Sequence, residues 1–321
     1  MKKLPLVVLL TATAALYAAE KPSEITFLDP ASAGPDYSDQ GEYANTWGGA
    51  QVIARGNGSF RMVSYPGGLP GDGWDQTSKT EANGKREGDK IMFSGEHGYH
   101  AELAGGRLTI TTDNGGPWTM EKVVRKSPTL GAKPPADAVV LFDGTSADAW
   151  QGGHMNARHW LAAGCKSKQR FKDFTAHIEF YLPFKPFARG QERANSGVYL
   201  QDRYEIQVLD SFGLKGLDNE CGAIYSKTAP AVNMCYPPLT WQTYDVDFTA
   251  ARYDSAGKKI KDAVVTVRQN GVTILDHVDL KGPTPAGMPE NSDGGPLQLQ
   301  GHGNPVFYRN VWVVPKNGQH S

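Results

Sequence analysis

The fold of this chain is clearest in one segment, Asn195-Ser-Gly-Val-Tyr-Leu-Gln-Asp-Arg-Tyr-Glu-Ile-Gln-Val-Leu-Asp210. A β-strand sends alternate side chains to opposite faces of its sheet. The second half of the segment would therefore place Tyr204, Ile206 and Val208 on one face. Glu205 and Gln207 would lie on the other. This alternation predicts a strand with one apolar and one polar face, as in an antiparallel sheet.

A second segment near the C-terminus has the same pattern, Pro296-Leu-Gln-Leu-Gln-Gly-His302, and is followed by Phe307-Tyr-Arg-Asn310. Gln298, Gln300 and His302 would share one face of the sheet, opposite two leucines. A carboxylate, amides and an imidazole on sheet faces suit a groove that binds sugar hydroxyls. The solvated outer face of an antiparallel sheet has the same pattern. Alternation alone therefore favours a solvated face over a site.

The composition favours an all-β protein. With 321 residues, the chain is long enough for roughly two domains. Its 37 glycines and 21 prolines accompany short apolar runs, which is typical of many strands joined by turns. The formal net charge of −1 gives no electrostatic reason to expect nucleic acid or an anionic membrane as a partner.

The N-terminus has the features of an export signal, which we place at residues 1–19. A basic start, Met1-Lys2-Lys3, precedes an apolar stretch from Leu4 to Leu16, and Ala18-Ala19 offers small residues for cleavage. The apolar stretch is shorter than the ~20 residues that a membrane span needs. We therefore expect cleavage and export to the periplasm or the extracellular space. No other segment of the sequence has the length and hydropathy of a span.

The rest of the chain divides into two β-rich parts. Residues 24–125 contain short strand signals separated by turns such as Gly56-Asn57-Gly58, which predicts a small antiparallel barrel or sandwich. Residues 126–137 form a proline-rich linker. Residues 138–315 carry strand signals without convincing helical periodicity, which predicts a two-sheet jelly roll.

Three cysteines, Cys165, Cys221 and Cys235, bear on the redox state of the protein. Export would permit a disulfide. Cys221 and Cys235 bracket a short segment with turn character, so we expect these two to pair. Cys165 would then remain as a small buried residue. Because no Cys-x-x-Cys spacing is present, a cysteine-based metal site is not expected.

Seven motifs in the second part of the chain occur in a familiar order. They are Leu141-Phe-Asp-Gly144 with Trp150, Ser196-Gly-Val-Tyr-Leu200, Tyr204-Glu-Ile-Gln-Val-Leu-Asp210, Gly222-Ala-Ile-Tyr225, Trp241-Gln-Thr-Tyr-Asp245, Val267-Arg-Gln-Asn-Gly271, and Leu297-Gln-Leu-Gln-Gly-His302 with Phe307-Tyr-Arg-Asn310. Together they resemble the 3-keto-disaccharide hydrolase family, also described as 3-keto-glucoside 1,2-lyase/hydratase domains, over residues 138–315. The resemblance implies a concanavalin-A-like jelly roll. It implies no function for residues 24–125.

The resemblance also implies a chemistry. A ketone at C3 of a glucoside acidifies the C2–H bond. A base removes that proton, the enolate expels the oxygen substituent at C1, and water then adds back for a net hydrolysis. Such a site needs a general base, a proton donor for the leaving oxygen and positive charge near the enolate oxygen. Glu205 and His302 are the candidates for the proton-transfer pair.

Other polar residues of these motifs are candidates for stabilising or binding the substrate. Arg203 or Arg309 could stabilise the enolate, and we place Arg309 with the catalytic residues. A divalent metal could do the same, although no cofactor is established. The predicted substrate-binding residues are Tyr199, Gln201, Arg203, Gln207, Asp210 and Gln300. The expected partner is a 3-keto sugar or a glycan, and the oligomeric state stays open.

Several of these residues also have structural interpretations. His302 lies between two glycines and could only shape a turn. Arg309 could pair with an acid at the core edge such as Asp143, and Asp210 could cap the loop that follows it. The stretch 218–220 is more typical of a solvated loop than of a calcium site. Three further histidines show no ligand spacing and are expected to be satisfied locally, namely His154, His159 and His177.

Two other functions compete with this one. Glu205-x-Gln207-x-x-Asp210 is similar to the Glu-x-Asp-x-x-Glu signature of laminarinase-type glucanases, which need two carboxylates about 5.5 Å apart for retention. Here Gln and Asp replace the last two acids, so an ordinary glycosidase ranks second among the enzymes. The other alternative is a non-catalytic, lectin-like protein with aromatic platforms, for which the candidates are Trp160, Tyr199 and Trp241.

Overall fold

The computed structural model describes residues 21–316, and its first eight strands close an antiparallel barrel. The strands are β1 Gly41–Ala44, β2 Gly48–Ala54, β3 Ser59–Pro66, β4 Thr80–Glu87, β5 Lys90–Gly95, β6 His100–Ala104, β7 Arg107–Thr112 and β8 Gly115–Val123. One short helix, α1 Gly34–Asp39, precedes them. The predicted signal at 1–19 lies outside the described residues. Within 21–316, no helix has the length and apolar character needed to cross a membrane.

Alternation along the strands fills the barrel. Phe60 and Met62 on β3 point into the same interior cluster as Phe93 on β5 and Leu103 on β6. An eight-stranded barrel has an interior just wide enough for side chains to fill. The intervening residues of β3 point outward, and one of them, Tyr65, joins a separate outer cluster.

The chain from Val139 to Pro315 forms a sandwich of two sheets. Its strands are β9 Val139–Phe142, β10 Trp150–Gln151, β11 Leu161–Ala162, β12 Cys165–Ser167, β13 Phe174–Tyr181, β14 Ser196–Leu200, β15 Tyr204–Val208, β16 Trp241–Thr249, β17 Arg252–Tyr253, β18 Lys259–Lys261, β19 Ala263–Gln269, β20 Val272–Leu280, β21 Gln298–Leu299 and β22 Phe307–Pro315. The smaller sheet has the order β10-β12-β21-β14-β15. The larger sheet has the order β11-β22-β13-β16-β19-β20, with β9 against β22, while β17 and β18 pair separately.

The predicted all-β class is confirmed, since strands hold 45% of the structure and helices 5%. The apolar faces of the two sheets meet in one core, where Val198 and Ile206 of the smaller sheet join Ile178 and Phe180 of the larger. Polar links also cross this core. The Tyr244 hydroxyl donates to the backbone oxygen of Gln207 at 2.6 Å.

The segment predicted as a linker, residues 126–137, lies against the outer face of the larger sheet. The Thr129 hydroxyl donates to Asp245 Oδ2 at 2.6 Å, and the backbone N–H of Gly131 donates to Glu179 Oε1 at 2.5 Å. Part of this segment is therefore ordered by polar side chains that the larger sheet would otherwise leave uncovered.

The barrel packs on the sandwich through aromatic side chains. Phe184, which follows β13, lies against Phe27 and Tyr37, with ring centroids 5.9 and 5.3 Å apart. Phe212, in the loop after β15, is buried in the outer cluster of the barrel. Next to it, Arg61 Nη1 donates to the backbone oxygen of Gly213 at 2.8 Å. The loop that leaves β15 is therefore held by the barrel.

The predicted disulfide between Cys221 and Cys235 is wrong. All three cysteines are free thiols buried in the sandwich. Cys221 Sγ lies 3.2 Å from the Tyr244 hydroxyl, and Cys235 Sγ donates to the backbone oxygen of Leu209 at 3.5 Å. The two thiols thus fill core positions as free hydrogen-bonding groups, and they also hydrogen-bond each other. Cys165 is buried as expected.

Candidate active site

The candidate site lies on the outer face of the smaller sheet, where β14 and β15 are neighbours. As the alternation predicts, Tyr204, Ile206 and Val208 lie in the core of the sandwich. On the opposite face, Tyr199 of β14 is paired in register with Glu205 of β15.

The register extends this pair into a polar row across four strands. Gln298 of β21 is paired with Tyr199, and Lys166 of β12 is paired with Gln298. Adjacent strands lie about 4.8 Å apart, so the row from Lys166 to Glu205 is about 14 Å long. At its far end, Lys166 Nζ donates to Asp202 Oδ2 at 2.6 Å.

A second row lies beside the first. The backbone N–H of Gln300 donates to the backbone oxygen of Gly197 at 2.8 Å, and Gly197 is paired with Gln207 of β15. Position 197 must be glycine, because a Cβ there would collide with the carboxyl group of Glu205. The absence of a side chain lets the Glu205 carboxyl group lie across the neighbouring strand.

Glu205 is buried, with 3% of its surface exposed. Its Oε2 accepts a hydrogen bond from the Tyr199 hydroxyl at 2.7 Å. Burial raises the pKa of Glu205 to about 7, and the Tyr199 hydrogen bond opposes that rise only in part. A carboxyl group with this pKa is divided between its acid and its base form at neutral pH, as a proton-transfer group requires.

Tyr199 and Gln300 tie the second row to Glu205. Gln300 Nε2 donates to the Tyr199 hydroxyl oxygen at 3.3 Å. Burial raises the pKa of Tyr199, and the hydrogen bond to Glu205 raises it further, so the phenol keeps its proton. Tyr199 therefore acts on Glu205 as a neutral hydrogen-bond donor.

A short 3-10 turn, Gly190–Glu192, and the residues after it add an amide cluster to this face. Gln191 Oε1 accepts hydrogen bonds from Gln207 Nε2 at 2.9 Å and from Asn195 Nδ2 at 3.1 Å. The cluster therefore brings the loop before β14 onto the polar face of β15.

Three side-chain atoms in this region are buried without a hydrogen-bond partner among residues 21–316. They are Arg193 Nη2, Asn195 Oδ1 and Gln300 Oε1. An unpaired buried polar atom costs about 1–3 kcal/mol, so such atoms are uncommon without a reason. One donor and two acceptors are therefore left free in this region: Gln300 lies beside the Tyr199–Glu205 pair, whereas Asn195 and Arg193 lie further along β15, near Gln207 and Asp210. That set suits a ligand with both oxygen acceptors and hydroxyl donors.

Asp210 supports Arg193 instead of contacting the polar rows. It is fully buried, and Arg193 Nε donates to its Oδ2 at 2.7 Å. Its Oδ1 accepts the backbone N–H of Phe212 at 3.2 Å, which is the loop cap considered from the sequence. Both carboxylate oxygens are engaged, so the prediction that Asp210 binds substrate is not supported by its position.

Gln201 and Arg203 lie at the hairpin between β14 and β15, where their side chains are used internally. Gln201 Nε2 donates to the backbone oxygen of Phe171 at 2.9 Å. Arg203 Nη1 donates to Gln201 Oε1 at 2.8 Å, and Nη2 donates to Asn291 Oδ1. Both residues are nearly buried. They fix the loop of residues 284–293 and do not contact Glu205, contrary to the sequence prediction.

Arg309 lies on the outer face of the larger sheet, on the opposite side of the sandwich from Glu205. Its Nε donates to Glu179 Oε2 at 2.7 Å, and its guanidinium lies 4.1 Å from the ring centre of Trp241. The prediction that Arg309 acts in one site with Glu205 is therefore corrected, because the two side chains lie on different sheets. The expected pairing with Asp143 is also wrong, since Glu179 takes that place.

Glu179 is the centre of a filled polar network on that face. His177 Nε2 lies 3.4 Å from Glu179 Oε1, and His177 Nδ1 lies 2.6 Å from Asp245 Oδ1. Burial alone would raise the pKa of Glu179. The hydrogen bonds from His177, Asn310, Arg309 and the Gly131 N–H together lower it to about 2. His177 is thus satisfied locally, as expected.

His302 lies on an exposed loop after β21. Its backbone oxygen accepts a hydrogen bond from Asn304 Nδ2 at 3.2 Å. Within residues 21–316, the hydrogen bonds to Glu205 do not include His302. His302 is exposed and lies two residues beyond Gln300 in the chain.

The other predicted features fall outside this face. Trp160 and Trp241 pack edge to face, 5.1 Å apart, in the aromatic contact between sandwich and barrel, and so are not platforms beside Glu205. Glu220 caps its own loop by accepting the backbone N–H of Gly216 at 2.6 Å. No three His, Cys, Asp or Glu side chains within 21–316 are placed to share a metal ion.

Arg193, Asn195 and Gln191 are the residues that sequence patterns missed. They precede β14 in an irregular loop, where no strand period assigns a face. The available signal was the spacing Gln191-x-Arg193-x-Asn195 directly before the polar strand.

Comparison with known proteins gives matches in the sandwich. A family model described as the 3-keto-alpha-glucoside-1,2-lyase-like domain matches residues 137–314. A crystal structure of a candidate glycosyl hydrolase from Parabacteroides distasonis ATCC 8503 is 32% identical, with a TM-score of 0.52; the match covers 57% of this chain and 85% of that one. A second candidate glycosyl hydrolase from the same organism matches at 17% identity and a TM-score of 0.42, covering 56% and 94%. No curated protein matches this chain.

Proposed function

The chain belongs to the family of 3-keto-alpha-glucoside-1,2-lyase-like domains, and on that premise we propose that it is an exported enzyme that cleaves 3-keto-glycosides by elimination and hydration. The family and the neighbouring structures make it a carbohydrate-active enzyme. One observation carries the finer proposal: Glu205 is buried, its pKa is raised to about 7, and the Gln300 amide, whose Oε1 is unpaired in the described chain, reaches the Tyr199 hydroxyl that donates to it.

The first step is removal of the proton at C2. The ketone at C3 acidifies the C2–H bond because the electrons left at C2 delocalise onto the ketone oxygen. The ionised carboxylate of Glu205 takes the proton, and an enolate forms across C2, C3 and the oxygen. The Tyr199 hydrogen bond at 2.7 Å orients the carboxylate and stabilises its charged form.

The second step expels the substituent at C1. The enolate electrons form the C1–C2 double bond, the C1–O bond breaks, and the leaving oxygen takes a proton. His302 stays our candidate for that proton donor, because it is an exposed imidazole two residues beyond Gln300 in the chain. Water then adds at C1 and gives a proton back to His302, and the Glu205 acid returns a proton to C2, so the net reaction is hydrolysis.

Arg193 is our candidate for the positive charge near the enolate oxygen. Its Nη2 is buried without a partner in the described chain, while Asp210 holds Nε at 2.7 Å. A fixed donor that faces developing negative charge in a dry site stabilises the transition state directly. Asn195 Oδ1 and Gln300 Oε1 would accept hydrogen bonds from sugar hydroxyl groups.

Dialysis against a chelator tests the alternative that a divalent metal stabilises the enolate. Activity that returned only with added metal would take this role from Arg193.

An ordinary glycosidase is less well supported. Direct displacement needs a second carboxylate about 5.5 Å from the first. The nearest acid in the signature, Asp210, has both oxygens engaged by Arg193 and Phe212.

The test is release of the aglycone from a 3-keto-glucoside, with protium or deuterium at C2, in a single turnover. We expect release by the wild-type chain and a several-fold slower rate for the deuterated substrate. Release without an isotope effect, together with cleavage of the unoxidised glucoside, would favour the glycosidase. Tight binding of a plain glycan with no release from any 3-keto-glucoside would favour the lectin-like alternative.

A further inference from the structure

A cavity of about 340 Å³ lies at one open end of the N-terminal barrel, in the part of the chain outside the family match. This barrel mouth is lined by residues from the ends of β3 and β7, the starts of β2 and β4, the middle of β8, and the turns between β1 and β2 and between β5 and β6. They include Trp47, Ser64, Thr80, Tyr99, Thr112 and Trp118. The mouths of β-barrels are common ligand sites, and small-molecule pockets measure about 300–1,000 Å³.

The mouth is open because its side chains are small on one side. Ser64, Thr80 and Gly48 stand where three neighbouring strands reach the end of the barrel. Further into the barrel, Met62 of β3 and Phe93 of β5 belong to the packed interior. The barrel is therefore closed at mid-height, and the mouth is a shallow cup with a solid floor.

Two tryptophans border this cup. Trp118 lies on β8 in phase with Met120, whose side chain belongs to the barrel interior, and 38% of its surface is exposed. Trp47 lies in the turn between β1 and β2, with 71% of its surface exposed.

The exposed Trp47 is held by a rigid backbone. Its N–H donates to Asn45 Oδ1 at 2.8 Å, and its backbone oxygen accepts the N–H of Gly67 at 2.8 Å. An exposed indole keeps most of its apolar surface in contact with water, which is unfavourable, and it gains little from packing within the described chain. The ring is instead presented as a preorganised flat surface.

The polar side chains of the cup are hydroxyls and the amide of Asn45, and that amide is bonded to the backbone of its own turn and of β8. The Tyr99 hydroxyl donates to Ser64 Oγ at 2.8 Å, which leaves the Ser64 proton for another acceptor. Thr80 and Thr112 add two more hydroxyls at the edge, and all the residues that line the cavity are uncharged. A cup of this kind does not select an ion.

We propose that the barrel mouth is a second carbohydrate-binding site, which binds a neutral oligosaccharide by its pyranose faces on Trp47 and Trp118 and by its hydroxyls on Ser64, Thr80 and Tyr99. The C–H groups on a pyranose face meet the negative face of an aromatic ring favourably. The choice of a glycan over an apolar ligand rests on these hydroxyls and, in part, on the proposed function of the sandwich. The site would hold the glycan from which the substrate derives, at a distance from Glu205 along the same chain.

The experiment is calorimetric titration of the full chain with neutral gluco-oligosaccharides, namely cello-, laminari- and maltohexaose. We expect at least one of them to bind, and both Trp118→Ala and Trp47→Ala to weaken that binding about tenfold or more. Ile260→Ala, which truncates another exposed apolar residue on β18, should leave binding unchanged. Trp47 lies in an exposed turn, so its variant reports on binding even if Trp118→Ala fails to fold.

Equal binding by the wild-type chain and both tryptophan variants would overturn the proposal. Absence of binding to all three hexasaccharides, with binding of an apolar dye that Trp118→Ala abolishes, would overturn it in favour of an apolar ligand. Release of the aglycone from a 3-keto-glucoside with one sugar ring should be the same in Trp47→Ala and wild type. Tryptophan-dependent glycan binding without this turnover would refute the proposed function alone, and turnover without such binding would refute the second site alone.

Discussion

Glu205 and Glu179 are buried on opposite outer faces of the sandwich, yet their carboxyl groups are in opposite electrostatic environments. Glu179 is held by Arg309, Asn310, His177 and the Gly131 N–H, and its pKa falls to about 2. Among the described residues 21–316, the carboxylate of Glu205 accepts a hydrogen bond only from the Tyr199 hydroxyl, and its pKa rises to about 7.

The difference in hydrogen-bond donors indicates which of the two glutamates has a structural role and which is suited to proton transfer. A buried carboxylate surrounded by donors and a counter-charge is already stabilised and has no reason to exchange a proton. A buried carboxylate with one neutral donor holds its charge at a cost, and a substrate proton removes that cost. The face of Glu179 is therefore a closed structural network under residues 126–137, and the face of Glu205 is the one that we propose as the active site.

The largest expected effect is on activity. Glu205→Gln should lower aglycone release by about 10²–10⁴-fold, which is the usual contribution of a general base. Its fold should be retained, because the amide oxygen still accepts the Tyr199 hydrogen bond. Steady-state rates and the unfolding curve are the measurements. If Glu205→Gln released the aglycone at a rate within a few-fold of wild type, Glu205 would not be the base, and the proposed difference in role between Glu205 and Glu179 would be wrong.

Replacement of Arg193 tests the positive charge that we propose for the enolate oxygen. Arg193→Gln should reduce kcat by about 10²-fold, since one fixed donor at a developing oxyanion is worth that much. Arg309→Gln is the matched control, because it removes the same group on the opposite face and should leave the kcat of the folded enzyme unchanged. A loss of kcat in Arg309→Gln that equals the loss in Arg193→Gln would contradict the assignment.

Glu179→Gln should act on stability instead. Removing one partner of a buried ion pair costs about 3–5 kcal/mol when both groups are buried. Because Arg309 is partly exposed, we expect a loss nearer to about 2 kcal/mol in the free energy of unfolding. Urea unfolding followed by circular dichroism measures this loss. An unchanged midpoint would show that the network contributes nothing.

The pH dependence of stability should have opposite signs for the two groups. Glu179 has a lowered pKa, so its stabilisation is present above its ordinary value of 4.5 and is lost as the pH falls towards about 2. Glu205 has a raised pKa, so the folded state loses stability as the pH rises from 4.5 to about 7. Unfolding of Glu205→Gln and wild type at pH 5 and pH 8 should therefore diverge, with the variant relatively more stable at pH 8. Parallel curves would contradict the raised pKa.

Tyr199→Phe should have the smallest effect. The Tyr199 hydrogen bond lowers the pKa of Glu205, so its removal should raise that pKa and reduce the ionised base at neutral pH. We expect a loss of up to about tenfold in kcat/KM at pH 7 that shrinks at pH 9. A loss that is the same at both pH values would mean that Tyr199 does not act through Glu205.

Alternation predicts both faces of the strands well, but it does not say which sheet a strand joins. Glu205 and Gln300 were placed correctly because their motif alternates over several residues. Arg309 alternates equally well in Phe307-Tyr-Arg-Asn310, and it points outward as expected, but β22 belongs to the other sheet. Strand order is fixed by long-range pairing, which a local period does not contain.

The loops show a second limit. Gln201 and Arg203 continue the strand pattern in the sequence, yet a tight turn at Gln201 and Asp202 with positive φ ends β14 and redirects both side chains. Arg193 lies in a loop without an alternating pattern, and its position depends on the ion pair with Asp210 and on the packing of Phe212 against the barrel. Such positions follow from tertiary contacts that the sequence leaves open.

The acid limb of the pH profile of kcat/KM for aglycone release from a 3-keto-glucoside tests the central role of Glu205 most directly, because that limb reports the pKa of the essential base in the free enzyme. We expect an apparent pKa near 7 in the wild-type chain and the same limb in Glu179→Gln. The limb should disappear with the activity in Glu205→Gln. A limb at the ordinary carboxyl value of about 4.5, or an unchanged profile in Glu205→Gln, would contradict the assignment of Glu205 as the base.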